Sequence, residues 1–115
     1  MVVSDDDTAL ALGSGEVPVL ATPRVVRLVE QATVRAIDGR LEAGSTTVGH
    51  RVQLDHLAPS AVGASVRAEA VLETVEGRRL TFRVTAADAQ GLVAAGRITR
   101  VVVDKERFVE KAAGP

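Results

Sequence analysis

The chain of 115 residues contains no cysteine, no tryptophan and no tyrosine. Without thiols there are no disulfides, no thiolate nucleophile and no cysteine-ligated metal site. Aromatic residues come to 2%, Phe82 and Phe108 alone. The core must therefore be packed from Val, Leu, Ile and Ala, and the interleaved stacking platforms of single-strand nucleic-acid binders are missing. Neither sign of charge dominates: 14 basic against 15 acidic residues leave a net charge of -1. The charges are dispersed, so there is no basic patch for nucleic acid and no polybasic membrane anchor. No apolar run approaches membrane-spanning length. The start, Met1-Val2-Val3-Ser4-Asp5-Asp6-Asp7, is acidic rather than signal-like, and a cytoplasmic location is the expectation.

What is present is apolar surface. Hydrophobic residues make up 46% of the chain, enough to build a core and too much for a disordered segment. The length fits one domain, residues 1–115, and no repeat or linker interrupts it. Residues 4–12 read as a short helical turn that Gly13-Ser14-Gly15 breaks. Thr22-Pro23 is the clearest helix start, with Thr22 as N-cap and Pro23 in the first turn, where its missing N–H costs nothing. The helix runs to about Asp38 and stops at Gly39. Arg24, Arg27, Gln31, Arg35 and Asp38 share its polar face, while Val25, Leu28, Val29, Ala32 and Ala36 lie opposite. Val26, Val34 and Ile37 widen the apolar surface at both edges, as for a helix covered on more than one side.

Beyond the helix the apolar period changes from 3.6 to 2. Strands are expected over 46–56, 65–75, 79–88 and 92–104, with a hairpin at Glu76-Gly77-Arg78 and a turn at Gln90-Gly91. In the first, Val48, His50, Val52, Leu54 and His56 fall on one face and Gly49, Arg51, Gln53 and Asp55 on the other. Gly96 marks a candidate bulge in the last. One helix followed by four strands, mostly a meander, is an α+β pattern with the helix on one face of an antiparallel sheet.

Three residues stand out chemically. Glu30 is the only charged residue off the helix's polar face, between Val26 and Val34 at four positions either side. A carboxylate among apolar neighbours is a candidate base, although an edge Glu reaching water is the commoner case. His56, at a strand end before a Pro-containing loop, is a candidate proton carrier, against the plainer reading of a solvated strand-end His. Thr22 is explained equally well by its N-cap duty, with a helix N-terminus able to stabilise an oxyanion beside it. His50 and His56 cannot share a metal on a regular strand, being roughly 20 Å apart. Asp55 points away from His56. Arg51, Arg78, Arg79 and Arg100 are candidates for anionic ligands, with a solvated surface role the commoner outcome for each. There is no G-x-S-x-G, H-E-x-x-H or Walker A motif.

Several segments together resemble the fluoroacetyl-CoA thioesterase-like family of hotdog-fold proteins. They are Val19-Leu20-Ala21-Thr22-Pro23, Leu28-Val29-Glu30-Gln31-Ala32-Thr33-Val34-Arg35-Ala36, Gly44-Ser45-Thr46-Thr47-Val48-Gly49, His56-Leu57-Ala58-Pro59, the stretch from Val75 to Phe82, and Glu106-Arg107-Phe108. The resemblance implies a hotdog fold, an antiparallel sheet wrapped around one central helix, with only Met1-Val2-Val3 available for the strand that precedes the helix. It implies an acyl-CoA thioesterase with Thr22, Glu30 and His56 as catalytic set, the Gly49 N–H at the thioester carbonyl, no cofactor beyond the CoA of the substrate, and a homodimer with sites near the interface. The family's fluoroacetyl-specific member carries lid phenylalanines before the Thr. Residues 13–20 here have none, so fluoroacetyl specificity is not implied and a broader or different acyl group is expected. Rival readings are an enoyl-thioester hydratase of the same fold and a non-catalytic acyl-CoA binder. Eight residues of helix rise about 12 Å, so Thr22 and Glu30 cannot touch directly.

Overall fold

A computed structural model describes residues 1–115. A single turn of 3-10 helix at Asp5–Asp7 leads into α1 (Ala9–Leu12), which Gly13 closes in the left-handed conformation at φ 68, a backbone state that glycine enters without steric cost. Then follow α2 (Thr22–Ala36), β1 (Ser45–His56), β2 (Arg67–Glu76), β3 (Arg79–Asp88), β4 (Gly91–Asp104) and α3 (Lys105–Ala113). The four strands form one antiparallel sheet in the order β1-β4-β3-β2. The meander holds for β2 to β4. β1 sits on the far side of β4, so the chain crosses from one edge of the sheet to the other between β1 and β2.

Along β3 the even positions Leu80, Phe82, Val84 and Ala86 are buried, as the period of two requires. They meet Val25, Leu28 and Val29 of α2 in a cluster with Leu20, Ile37, Val66, Val93 and Ile98. Phe82 is the large side chain at its centre, fully buried, and the remaining volume is filled by aliphatics. The helix thus lies on one face of the sheet, as expected for a hotdog protein. The preceding strand is abbreviated: Val2 bridges Ser65, and Val3 exchanges backbone hydrogen bonds with Ala64 and Gly63.

Three expectations need correction. The helix ends at Ala36, two residues before Asp38, because Gly39 at φ 73 belongs to the turn beyond it. Within the one chain α2 is covered on a single side: Val34 is 49% exposed and Ala36 is exposed. Gly96 is not a bulge. It sits opposite Leu54 in unbroken register, and a Cβ there would run into the Gln53 carbonyl oxygen, so close backbone approach is what requires glycine. The irregularities fall elsewhere: in β1, where Gly49 pairs with Arg100 and Arg51 with Thr99, leaving His50 as the extra residue, in β2 between Leu72 and Thr74, and in β4 at Val93, between Ala94 opposite Ala86 and Leu92 opposite Ala87. α3 was not anticipated. Asp104 caps it, its carboxylate accepting from the Arg107 N–H at 3.0 Å.

Candidate active site

Functional side chains gather at two places along α2. The first is its N-terminus. Ala21, not Thr22, occupies the N-cap position, and no side chain caps the helix. The Thr22 hydroxyl is therefore free of the duty its place before Pro23 suggests, and its Oγ1 lies 2.8 Å from His56 Nδ1. β1 delivers His56 as its last residue, paired with Ala94 of β4. The other ring nitrogen, Nε2, is buried and has no partner. With the proton on Nε2, Nδ1 accepts from the threonine O–H, the tautomer in which the imidazole can act as a base. The pair borders an open cavity of about 320 Å³ whose other walls include Val17, Val19, Leu57 and Pro59. A hydroxyl–imidazole pair beside a small, mainly apolar chamber is the arrangement of a nucleophile and its base.

The second place is two turns further on. The Glu30 side chain is 37% exposed, and its Oε2 receives Arg100 Nη1 at 3.4 Å. Arg100 is buried. Its Nε donates to Thr47 Oγ1 at 2.9 Å and its Nη2 to the Thr47 carbonyl at 3.1 Å. Three of its donors are thus anchored, two to β1 and one to the carboxylate, which fixes the fork against the helix. Gly49 faces the same carboxylate: a Cβ there would lie 2.8 Å from Glu30 Oε2. The glycine lets the carboxylate reach the strand backbone.

The bulge at His50 explains how both places lie on one side of the sheet. Strict alternation puts Gly49 and His56 on opposite faces. With His50 as the extra residue, Thr47 and Gly49 face α2 before it, and Leu54 and His56 face α2 after it. A β-bulge beside a functional site re-aims side chains in this way.

The structure therefore joins Thr22 to His56 and Glu30 to Gly49, but not the two pairs to each other. Thr22 and Glu30 are separated by about 12 Å of helix rise. Thr47 is not among the residues singled out from the sequence, and Arg100 is singled out only as a candidate for an anionic ligand. The surface role expected for Arg100 is overturned: it is 7% exposed. Its signal was its parity, since it alternates with Ile98 and Val102 on the side of β4 that faces α2. No group of His, Asp and Glu side chains is arranged to hold a metal.

Two carboxylates outside these places are held below the ordinary range. Asp7 is lowered chiefly by the Ser4 backbone N–H, with the Ser4 hydroxyl and the nearby Arg24 adding to it against some burial. Asp88 is lowered by the Gln90 backbone N–H and then by the Ser60 hydroxyl. Both fasten loops around the N-terminus of α2: Asp7 lies 3.3 Å from Arg24, and the Ser60 carbonyl accepts from the Leu20 N–H.

Comparison with known proteins gives a consistent family. The model of the fluoroacetyl-CoA-specific thioesterase family matches residues 3–106. The fluoroacetyl-CoA thioesterase of Streptantibioticus cattleyicolor is 39% identical over 93 residues, which span 81% of this chain and 67% of that protein. Among solved structures, the fluoroacetyl-CoA thioesterase FlK superposes with a TM-score of 0.92 at 34% identity, over 98% of this chain and 88% of the other. A thioesterase superfamily member from Thermus thermophilus gives a TM-score of 0.89 at 31% identity, over 98% and 84%. A hot-dog-like protein from Thermanaerovibrio acidaminovorans gives 0.89 at 29%, over 97% and 83%. With the fold, the order of elements and nearly the whole length in agreement, the chain belongs to the fluoroacetyl-CoA-specific thioesterase family of hotdog-fold proteins.

Proposed function

We propose that the protein hydrolyses an acyl-CoA thioester to a carboxylic acid and free thiol, with Thr22, Glu30 and His56 as its catalytic residues and Gly49 at the oxyanion. The observation that carries this reading is the 2.8 Å hydrogen bond between Thr22 Oγ1 and His56 Nδ1. In the proposed sequence Oγ1 attacks the thioester carbonyl carbon and its proton passes to Nδ1. The Gly49 backbone N–H stabilises the oxyanion. As the C–S bond breaks, the thiolate takes the proton from the imidazolium. Water then attacks the threonine ester, leaves its proton on Nδ1, and Oγ1 recovers that proton as the acid departs. Glu30 steadies the imidazolium.

Glu30 and Gly49 of the same chain are too far from His56 for this, which argues for a homodimer. β1 is a sheet edge with no strand beyond it, a surface that pairs readily with another strand. Val52 on it and Val34 on the adjoining side of α2 are 39% and 49% exposed. Antiparallel pairing of two β1 strands about a two-fold axis between Val52 and Gln53 sets Gly49 of one protomer opposite His56 of the partner subunit. Each of two sites then takes Thr22 and His56 from one protomer and Glu30 and Gly49 from the other. Residues 1–115 act as one hotdog domain of the cytoplasm that needs no cofactor. With no phenylalanine in residues 13–20, specificity for fluoroacetyl is not implied, and a broader or different acyl group is held in the chamber beside Thr22.

Thiol release from a panel of acyl-CoAs tests the assignment. Thr22→Ala is expected to lower kcat by roughly 10²–10⁴-fold, the range associated with losing a positioned acid–base or nucleophilic group, and Thr22→Ser to retain most of it. A Thr22→Ala enzyme close to wild type would remove the threonine from the chemistry.

A further inference from the structure

The chamber beside Thr22 and His56 is lined by no Asp, Glu, Lys or Arg, and its only polar side chains are Ser14 and the reacting pair itself. An acyl group bearing a carboxylate or an ammonium would enter it without an ion partner, and an unpaired charge drawn out of water is strongly disfavoured. Size narrows the choice further. A water-sized group takes about 30 Å³, so a chamber of about 320 Å³ is left mostly unfilled by an acetyl group. Its wall on the α1 side is set in advance. The Ala9 N–H donates to the Val19 carbonyl at 2.9 Å, the Leu10 N–H to that of Val17 at 3.3 Å, and the Ser14 N–H to that of Ala9 at 3.0 Å. The segment after α1 is thus strapped to the helix, as in a pre-formed site. Gly15 shows what keeps the inside clear. Unlike Gly13 it has no positive φ, so conformation does not require glycine there. A Cβ at this place would lie 3.2 Å from the Ala9 Cβ, so space is what the glycine provides. Val17 and Leu57 stand exposed at the rim, where an entering hydrocarbon would cover them.

We propose that the chamber selects a neutral hydrocarbon acyl chain of about four to eight carbons, with Val17 and Leu57 gripping it at the rim and Gly15 with Ala9 setting its length. The proposal rests on the hydrolase reading above and names its substrate class. Each methylene that enters leaves water and meets aliphatic side chains, so affinity grows with the chain. The growth stops where the chamber is full.

The test is a series of straight-chain acyl-CoAs from acetyl to decanoyl, with succinyl-CoA as the charged member, read as thiol release. kcat/KM is expected to rise about fourfold for each added methylene, equivalent to about 0.8 kcal/mol, and to level off at about eight carbons. Succinyl-CoA is expected about tenfold or more below butyryl-CoA. Val17→Phe and Gly15→Leu, at two exposed positions outside the core, put bulk into the chamber. Each is expected to lower the octanoyl-to-acetyl ratio of kcat/KM about tenfold, equivalent to about 1.4 kcal/mol. A profile that is flat or falls from acetyl onward, a preference for succinyl-CoA, or a ratio indifferent to both substitutions would overturn the proposal. S-alkyl-CoA thioethers cannot be hydrolysed, so calorimetry with S-ethyl-CoA and S-hexyl-CoA needs no turnover. Tighter binding of the hexyl compound that Val17→Phe removes, in a protein that cleaves no thioester, upholds the chamber and removes the hydrolase reading instead.

Discussion

The two ends of the candidate site are built on different physics. At the start of α2 a hydroxyl–imidazole pair, Thr22 and His56, meets in one short hydrogen bond beside an apolar chamber, and no carboxylate or guanidinium is bonded to it there. Two turns on, Glu30 is held by a buried guanidinium that is itself fastened to Thr47 of β1. The first arrangement can move a proton; the second fixes a charge in place. Neither completes a hydrolytic site, and the separation along one helix keeps them apart in one chain. The lesson is that the chain sets its candidate residues in two separate groups along one helix, and the proposed pairing of two β1 edges is what would bring them together.

Substitutions at the charged half should break this contrast in order of size. Arg100→Ala is expected to cost the most, about 2–4 kcal/mol in denaturant unfolding, because it leaves the Thr47 groups without their donor and opens a void under Glu30. The activity should fall with it. Arg100→Lys restores charge but not the three-way fork and should recover stability only in part. Gly49→Ala comes next. Its methyl group meets a flexible carboxylate rather than backbone, so Glu30 swings away: kcat is expected to drop roughly tenfold, about 1.4 kcal/mol, with little loss of melting temperature. A drop in stability matching the drop in activity would instead make Gly49 a packing residue.

The smallest effect belongs to the frame around the Thr22–His56 half. The folded carboxyl of Asp88 titrates below its ordinary value of 3.8, mainly through the Gln90 N–H and the Ser60 hydroxyl. Its contribution to stability is complete above that ordinary value and is lost as pH falls through the lowered folded one. Asp88→Asn should therefore lower the melting temperature at neutral pH, and the gap from wild type should close in strong acid. A gap that is constant with pH would mean the charge plays no part.

Much of this was legible in the residues. Pro23 in the first turn marks the start of α2 and the apolar stripe chooses its buried face, because both are local properties, but the cap position is Ala21 and not Thr22. The strands of the meander followed from alternation and two glycine turns. The His50 bulge did not: a period-two reading has no means of seeing one extra residue, and it assigned Gly49 to the wrong face. Arg100 was taken for a surface residue because arginine usually is one; only its alternation with Ile98 and Val102 spoke otherwise. α3 was overlooked because it buries no residue, although Asp104 followed by Lys105-Glu106-Arg107 reads as a capped start. Thr22 and His56 were identified, but their contact lies between residues 34 positions apart, which no local pattern encodes.

Complementation tests the central claim directly. Glu30→Ala and His56→Ala protomers, each inactive alone, are co-expressed and the thiol release of the mixture is measured. If each site draws Glu30 from one protomer and His56 from the other, mixed dimers regain one intact site, and random pairing in a two-fold dimer returns about a quarter of the wild-type rate. A mixture no more active than either variant alone would contradict the account.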